Sequence, residues 1–167
     1  MTRFGHGMRL AVIDAFAALC AILFSVLPTM AQTASALPPS PSTVKNVHRL
    51  VLQVSVNEPA TMNLALNNAS NVEQHYKDLN EKVEIEIITF GAGLNMLRED
   101  TSPVKDRIKA MAEKSPSISF KACGNTQENM RKAEDKSITL LSQATLVKSG
   151  LVRIIDLQEQ GWTYVRP

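Results

Sequence analysis

Runs rich in β-branched and other apolar residues alternate with helix-patterned segments through most of this chain, and that alternation constrains the fold more than any other feature. The strand runs cover residues 49–56, 83–90, 118–122, 144–148 and 162–166. A helix from Pro59 carries Met62, Leu66, Ala69, Val72 and Tyr76 on one face at helical spacing. Ser102-Pro103 reads as the cap and first position of a second helix, with Val104, Ile108 and Met111 as its stripe. A third follows Thr126 to about Ser137, buried through Met130 and Ala133. A fourth opens after Ser149-Gly150, places Leu151, Ile154, Ile155 and Gln158 on one side, and ends at Gly161. Strand and helix in strict turn predict an α/β fold with a parallel sheet and helices on both faces.

The first 36 residues read differently. Arg3 and Arg9 precede an apolar run from Leu10 to Leu27, and small residues follow. Thr29-Met-Ala31 and Ala34-Ser-Ala36 both fit a signal-peptidase site, so export by a cleaved signal peptide to the periplasm is expected. Asp14 and the modest length of the run argue against a stable membrane span. Residues 37–46 form a linker, with three prolines that oppose both helix and sheet. Removing residues 1–36 leaves 131, enough for one domain at 47–167. That segment holds two of the 18 basic and one of the 16 acidic residues, so the remainder carries a net charge of only +1. Nothing in that balance indicates nucleic-acid or membrane-surface binding.

Cys123 is the one cysteine left after the signal segment, so an internal disulfide is excluded. A free thiol, an intermolecular bridge, a transient mixed disulfide and a merely packed thiol all stay open. Its place narrows the choice. Ile118, Phe120 and Ala122 alternate with polar residues as a strand does; Cys123 and Gly124 follow, then Asn125 and Thr126, two residues suited to capping a helix. A thiol between the carboxyl end of a strand and the amino end of a helix meets backbone N–H groups that favour its anion.

In a parallel sheet, sites gather beyond the carboxyl ends of the strands. Asn57, Glu58, Gly91, Gly93, Cys123, Gly124, Asn125, Ser149 and Gly150 fall there. Cys123 is the strong nucleophile among them. Gly91-Ala-Gly93 is a tight loop in which the backbone could approach a ligand or a neighbouring strand. The longer spacing of a dinucleotide fingerprint is missing. Lys121 points to the same side of its strand as Cys123 and could stabilise a thiolate, although a solvated lysine is the plainer reading. His48 stands at the opposite end of the sheet and His75 lies in the first helix. No base therefore accompanies the thiol as a cysteine-protease dyad needs. Neither a zinc ligand set nor a paired-cysteine redox motif is present, and no metal or organic cofactor is expected. A lone activated thiol suits group carriage, in which it accepts a sulfane sulfur as a persulfide and passes it on.

Three stretches carry a family resemblance: Phe120-Lys-Ala-Cys123-Gly-Asn125, Val147-Lys-Ser-Gly150-Leu-Val, and the tail from Leu157 to Pro167 with Gly161-Trp162-Thr-Tyr164. Together they resemble the DsrE/DsrF-like family, most closely its exported, signal-bearing branch. The resemblance implies a three-layer α/β/α fold around a five-stranded parallel sheet, and homo-oligomers, often trimers or hexamers. It implies sulfur-relay chemistry with Cys123 as the reacting cysteine and a protein sulfur donor or acceptor as partner. The glycines and amides around the thiol (Gly91, Gly93, Gly124, Asn125 and Asn57) are the expected substrate-binding positions. The relays of cytoplasmic members serve cytoplasmic partners, so an exported chain does not inherit their pathway. Two other roles for the same fold remain, a non-enzymatic oligomeric binding module and a thiol redox sensor.

Overall fold

The structure is a computed structural model and describes residues 47–167. The signal-peptide and linker expectations lie outside the described residues. Ten elements follow one another: β1 (Val47–Val54), α1 (Pro59–Asp78), β2 (Lys82–Thr89), a 3-10 helix (Gly91–Leu97), α2 (Lys105–Lys114), β3 (Ile118–Cys123), α3 (Gly124–Glu134), β4 (Ala144–Val147), α4 (Gly150–Glu159) and β5 (Thr163–Val165). The five strands form one sheet in the order β4-β3-β2-β1-β5, and every pairing is parallel.

That order follows from the chain's crossovers. From β1 to β4 each strand is laid beside the last in one direction, which puts the connecting helices on one face under the right-handed rule. The chain then returns past β1 to add β5, so α4 crosses the opposite face. The side chains divide accordingly. Leu50, Leu52, Val54, Ile85, Ile87 and Phe120 pack with Met62 and Leu66 of α1 and Ile108 of α2. Val51 and Ile88, pointing the other way, pack with Ile154 and Leu157 of α4, flanked by Phe90 and Trp162. Three layers result, α/β/α, and β2 is buried without interruption from Ile85 to Thr89, where both its faces are covered.

Several elements begin or end away from their expected positions. Ser102 does not cap α2, whose amino-terminal cap is Val104. Its hydroxyl instead donates to the Met96 carbonyl (2.6 Å) and accepts from the Val104 amide (3.3 Å), bracing the turn before the helix. Asn125 and Thr126 lie inside the first turn of α3, and Cys123 takes the cap position. That helix stops at Glu134 because Asp135 adopts a left-handed conformation (φ 46°), and Ala133 is exposed. On α4 the buried face is Gly150, Ile154 and Leu157, whereas Leu151 and Ile155 are 55% and 47% exposed.

One ion cluster ties the far end of α3 to the segment after the 3-10 helix. The Arg98 side chain is buried and donates to Asp100 (2.8 Å) and bidentately to Glu134 (2.5 and 2.9 Å). Backbone bonds from Glu99 N to Thr139 O and from Leu141 N to Leu97 O fix the two segments side by side. The direct hydrogen bonds from Arg98 hold the Glu134 carboxyl down at about 2 and Asp100 well below the usual carboxylate range.

Candidate functional site

Cys123 ends β3 and caps α3. It stands where serine or aspartate would ordinarily accept amide protons from the first helical turn. No cap hydrogen bond closes in standard geometry, so the neighbouring N–H groups act on the sulfur as surrounding dipoles. β4 runs alongside, pairing Val147 with Cys123, and turns at Ser149 into α4. A second helix amino terminus is thereby delivered to the same sulfur. Ser149 caps α4, its hydroxyl accepting from the Val152 amide (3.4 Å). Gly150, the first residue of α4, is buried; a Cβ there would fall 3.1 Å from the Phe90 ring and 3.3 Å from the Cys123 Cβ. Glycine lets that helix end approach the thiol without displacing either neighbour.

The electrostatics follow from this packing. Burial pushes the thiol up and is the largest single influence, but four groups together outweigh it. These are the Thr126 hydroxyl and the amides of Gly150, Thr126 and Asn125, and the net effect holds the thiol below its ordinary value. The Asn125 amide contributes least, since it also donates to the Lys148 carbonyl (3.1 Å). The largest influences that favour the anion are neutral donors at two helix ends, and Lys121 is not one of them.

The expected site residues separate. Gly124 and Asn125 adjoin the thiol in the first turn of α3. Gly91 reaches it indirectly: its amide donates to the Thr126 hydroxyl oxygen over 3.0 Å. Gly93 does not open space for a donor molecule. It is buried against the end of β1, and a Cβ on it would lie 2.2 Å from the Val54 carbonyl oxygen, so this half of the loop is a backbone-to-strand contact. Asn57 is exposed beyond β1, two strands from β3, which is about 10 Å across a sheet. Thr126 and Gly150 are the donors that the reading by spacing did not assign. The signal was present, because Ser149-Gly150 after a strand run marks a second helix start at the same sheet end.

The residue Cys123 is 5% exposed. A cavity of about 410 Å³ lies over the turn from β4 into α4, lined by Asn125, Val147, Lys148, Ser149, Val152 and Arg153 among others, and Cys123 does not line it. Among the described residues no three metal-ligating side chains converge. His48 and His75 lie at the other end of the sheet, where His48 stacks on Tyr76. The chemistry available at this end is that of a shielded, amide-stabilised thiolate without a partner base.

No protein-family model and no curated protein matches the chain. A solved structure does: a protein of unknown function from Methanobacterium thermoautotrophicum, 27% identical, spanning 72% of this chain and 99% of that one, with a TM-score of 0.61. The two proteins share one fold.

Proposed function

We propose that this chain is a single-thiol sulfur carrier of the DsrE/DsrF-like kind, exported after loss of its amino-terminal segment and working as a homo-oligomer, a trimer or hexamer. The observation that carries the reading is the position of Cys123 between the amino termini of α3 and α4, with its thiol held low by amides and a hydroxyl. A carrier needs an anion ready to attack and no second reacting group, and that is the composition of the site. With thiosulfate as donor, the Cys123 thiolate attacks the outer sulfur. The new S–S bond forms as the old one breaks, and sulfite leaves with the electron pair, so the cysteine ends as a persulfide anion. Passing the sulfur to another thiolate repeats the exchange and restores Cys123. No organic cofactor or metal enters either step.

Cold cyanide treatment after loading with polysulfide tests this, because cyanide removes sulfane sulfur as thiocyanate. One equivalent of thiocyanate per chain is expected, and none from Cys123→Ser. Thiocyanate yield equal in the two proteins would overturn the assignment.

The 5% exposure of Cys123 favours a second reading, a non-enzymatic oligomeric binding module in which the thiol is packed. The exposed Leu151, Val152 and Ile155 on α4 would then serve assembly alone. That reading expects slow alkylation of Cys123 at every pH and no loss of behaviour in Cys123→Ser.

A further inference from the structure

At the end of the sheet opposite Cys123, a half-open cavity of about 390 Å³ lies between α1 and the edge strand β5. Buried Leu50 and Val83 lie at its base. Three rings form one wall. His48 stacks on Tyr76 with centroids 3.8 Å apart and planes 11° from parallel, and His75 meets Tyr76 edge-on at 5.1 Å. Asn71 and Thr163 stand exposed at the rim.

The charges sort the ligand. The carboxylates at this end are already matched: Glu81 accepts from His48 Nε2 (2.6 Å) and Glu84 from Arg49 Nε (3.2 Å). The groups left without a protein partner among the described residues are donor-capable and uncharged or weakly basic, namely the Asn71 amide, the His75 imidazole and the Thr163 hydroxyl. An apolar base, a wall of planar rings and spare donors at the mouth complement a flat, apolar body with an acceptor at one edge. An apolar cavity of roughly 150 Å³ already accommodates benzene, so this one has room for two fused rings.

We infer that the cavity between α1 and β5 binds a planar aromatic carboxylate, its rings against His48, Tyr76 and His75 and its carboxylate at Asn71 and Thr163. This site is independent of Cys123 and stands whether or not the thiol carries sulfur.

Calorimetric titration of the whole protein with 1-naphthoate tests it, with neutral 1-naphthalenemethanol as the isostere. Saturable binding below about 1 mM is expected, about fivefold weaker for the alcohol and for Thr163→Val, each of which removes one hydrogen bond. Tyr76→Ala should abolish it. Thr163→Val lies on the exposed edge strand and keeps the test decisive if Tyr76→Ala does not fold. Glu159→Gln, exposed at the end of α4, should bind as the parent does. Absence of saturable binding, affinity untouched by Thr163→Val, or affinity lost in Glu159→Gln would each overturn the assignment.

Discussion

Gly91 donates its amide proton to the Thr126 hydroxyl oxygen, 3.0 Å away, and so leaves that hydroxyl's own proton to face the Cys123 sulfur. The 3-10 helix thereby acts on the thiol through its first backbone amide. Thr126→Val removes the donor, whereas Thr126→Ser keeps it. A hydrogen bond to a charged group is worth about 1.5–3 kcal/mol, so alkylation of Cys123 at pH 7 should slow by about tenfold in the valine variant and hold near the parent rate in the serine variant. Equal rates in all three proteins would contradict the role given to Thr126.

The thiol's depressed value also fixes a pH dependence. In the unfolded chain the thiol titrates at about 8.5, and in the folded chain below its ordinary value. The stabilisation is therefore complete above about pH 8.5 and fades as pH falls through the folded value. Denaturant midpoints of the parent should rise across that window relative to Cys123→Ser. Parallel curves would show that folding does not favour the thiolate.

The Gly93 contact is steric and gives a sharper stability effect. A Cβ only 2.2 Å from the Val54 carbonyl cannot be accommodated without moving β1 or the 3-10 helix. Gly93→Ala should cost about 3 kcal/mol or more, the upper range of overpacking, read as a lowered urea midpoint. A midpoint unchanged by the methyl group would mean that the loop is looser than described.

On α4 two adjacent isoleucines separate the inner from the outer face. Ile154 is 3% exposed between Val51 and Ile88, and Ile155 is 47% exposed. Ile154→Ala should cost about 2–4 kcal/mol, and Ile155→Ala about 0.5 kcal/mol or less in the monomer. Thermal melts of the two variants check this directly, and equal losses would place the helix differently.

That helix also shows where a sequence stops being legible. The alternation of strand and helix was readable because each strand run is apolar and each helix has a period. The parallel sheet and the order of its elements follow from those patterns. The face of α4 was not readable. Leu151, Val152, Ile154, Ile155 and Leu157 offer apolar residues almost all round, so spacing alone selects no side. Only the arrival of α4 over Ile88, with Gly150 against Phe90, decides it. The same holds at the site. Cys123 was marked by its place between strand and helix, but the second set of amides comes from a helix 27 residues on, through a crossover that no local pattern encodes. Gly93 resembled an opening for a ligand because a glycine looks alike whether a ligand or a strand occupies the space beside it.

The Arg98 cluster predicts acid sensitivity. Glu134 titrates at about 2 in the folded chain against an ordinary value of 4.5. A lowered folded value means stability fully present above about pH 4.5 and lost as pH falls toward 2. Arg98→Met removes the cause, so this part of the acid dependence should vanish. Because the carboxylates are partly solvated, the variant should lower the urea midpoint at pH 7 by less than loss of a fully buried pair would. Urea titrations at pH 7 and pH 3 give both numbers; an unchanged difference between the two pH values would contradict the assignment.

A sulfur carrier at Cys123 must take up a sulfur atom through its thiolate. Intact-mass spectrometry of the protein after thiosulfate or polysulfide treatment reads that step itself. A mass increase of one sulfur atom is expected, reversed by a thiol reductant and absent from Cys123→Ser. An unchanged mass in the parent, or the same increase in Cys123→Ser, would contradict it.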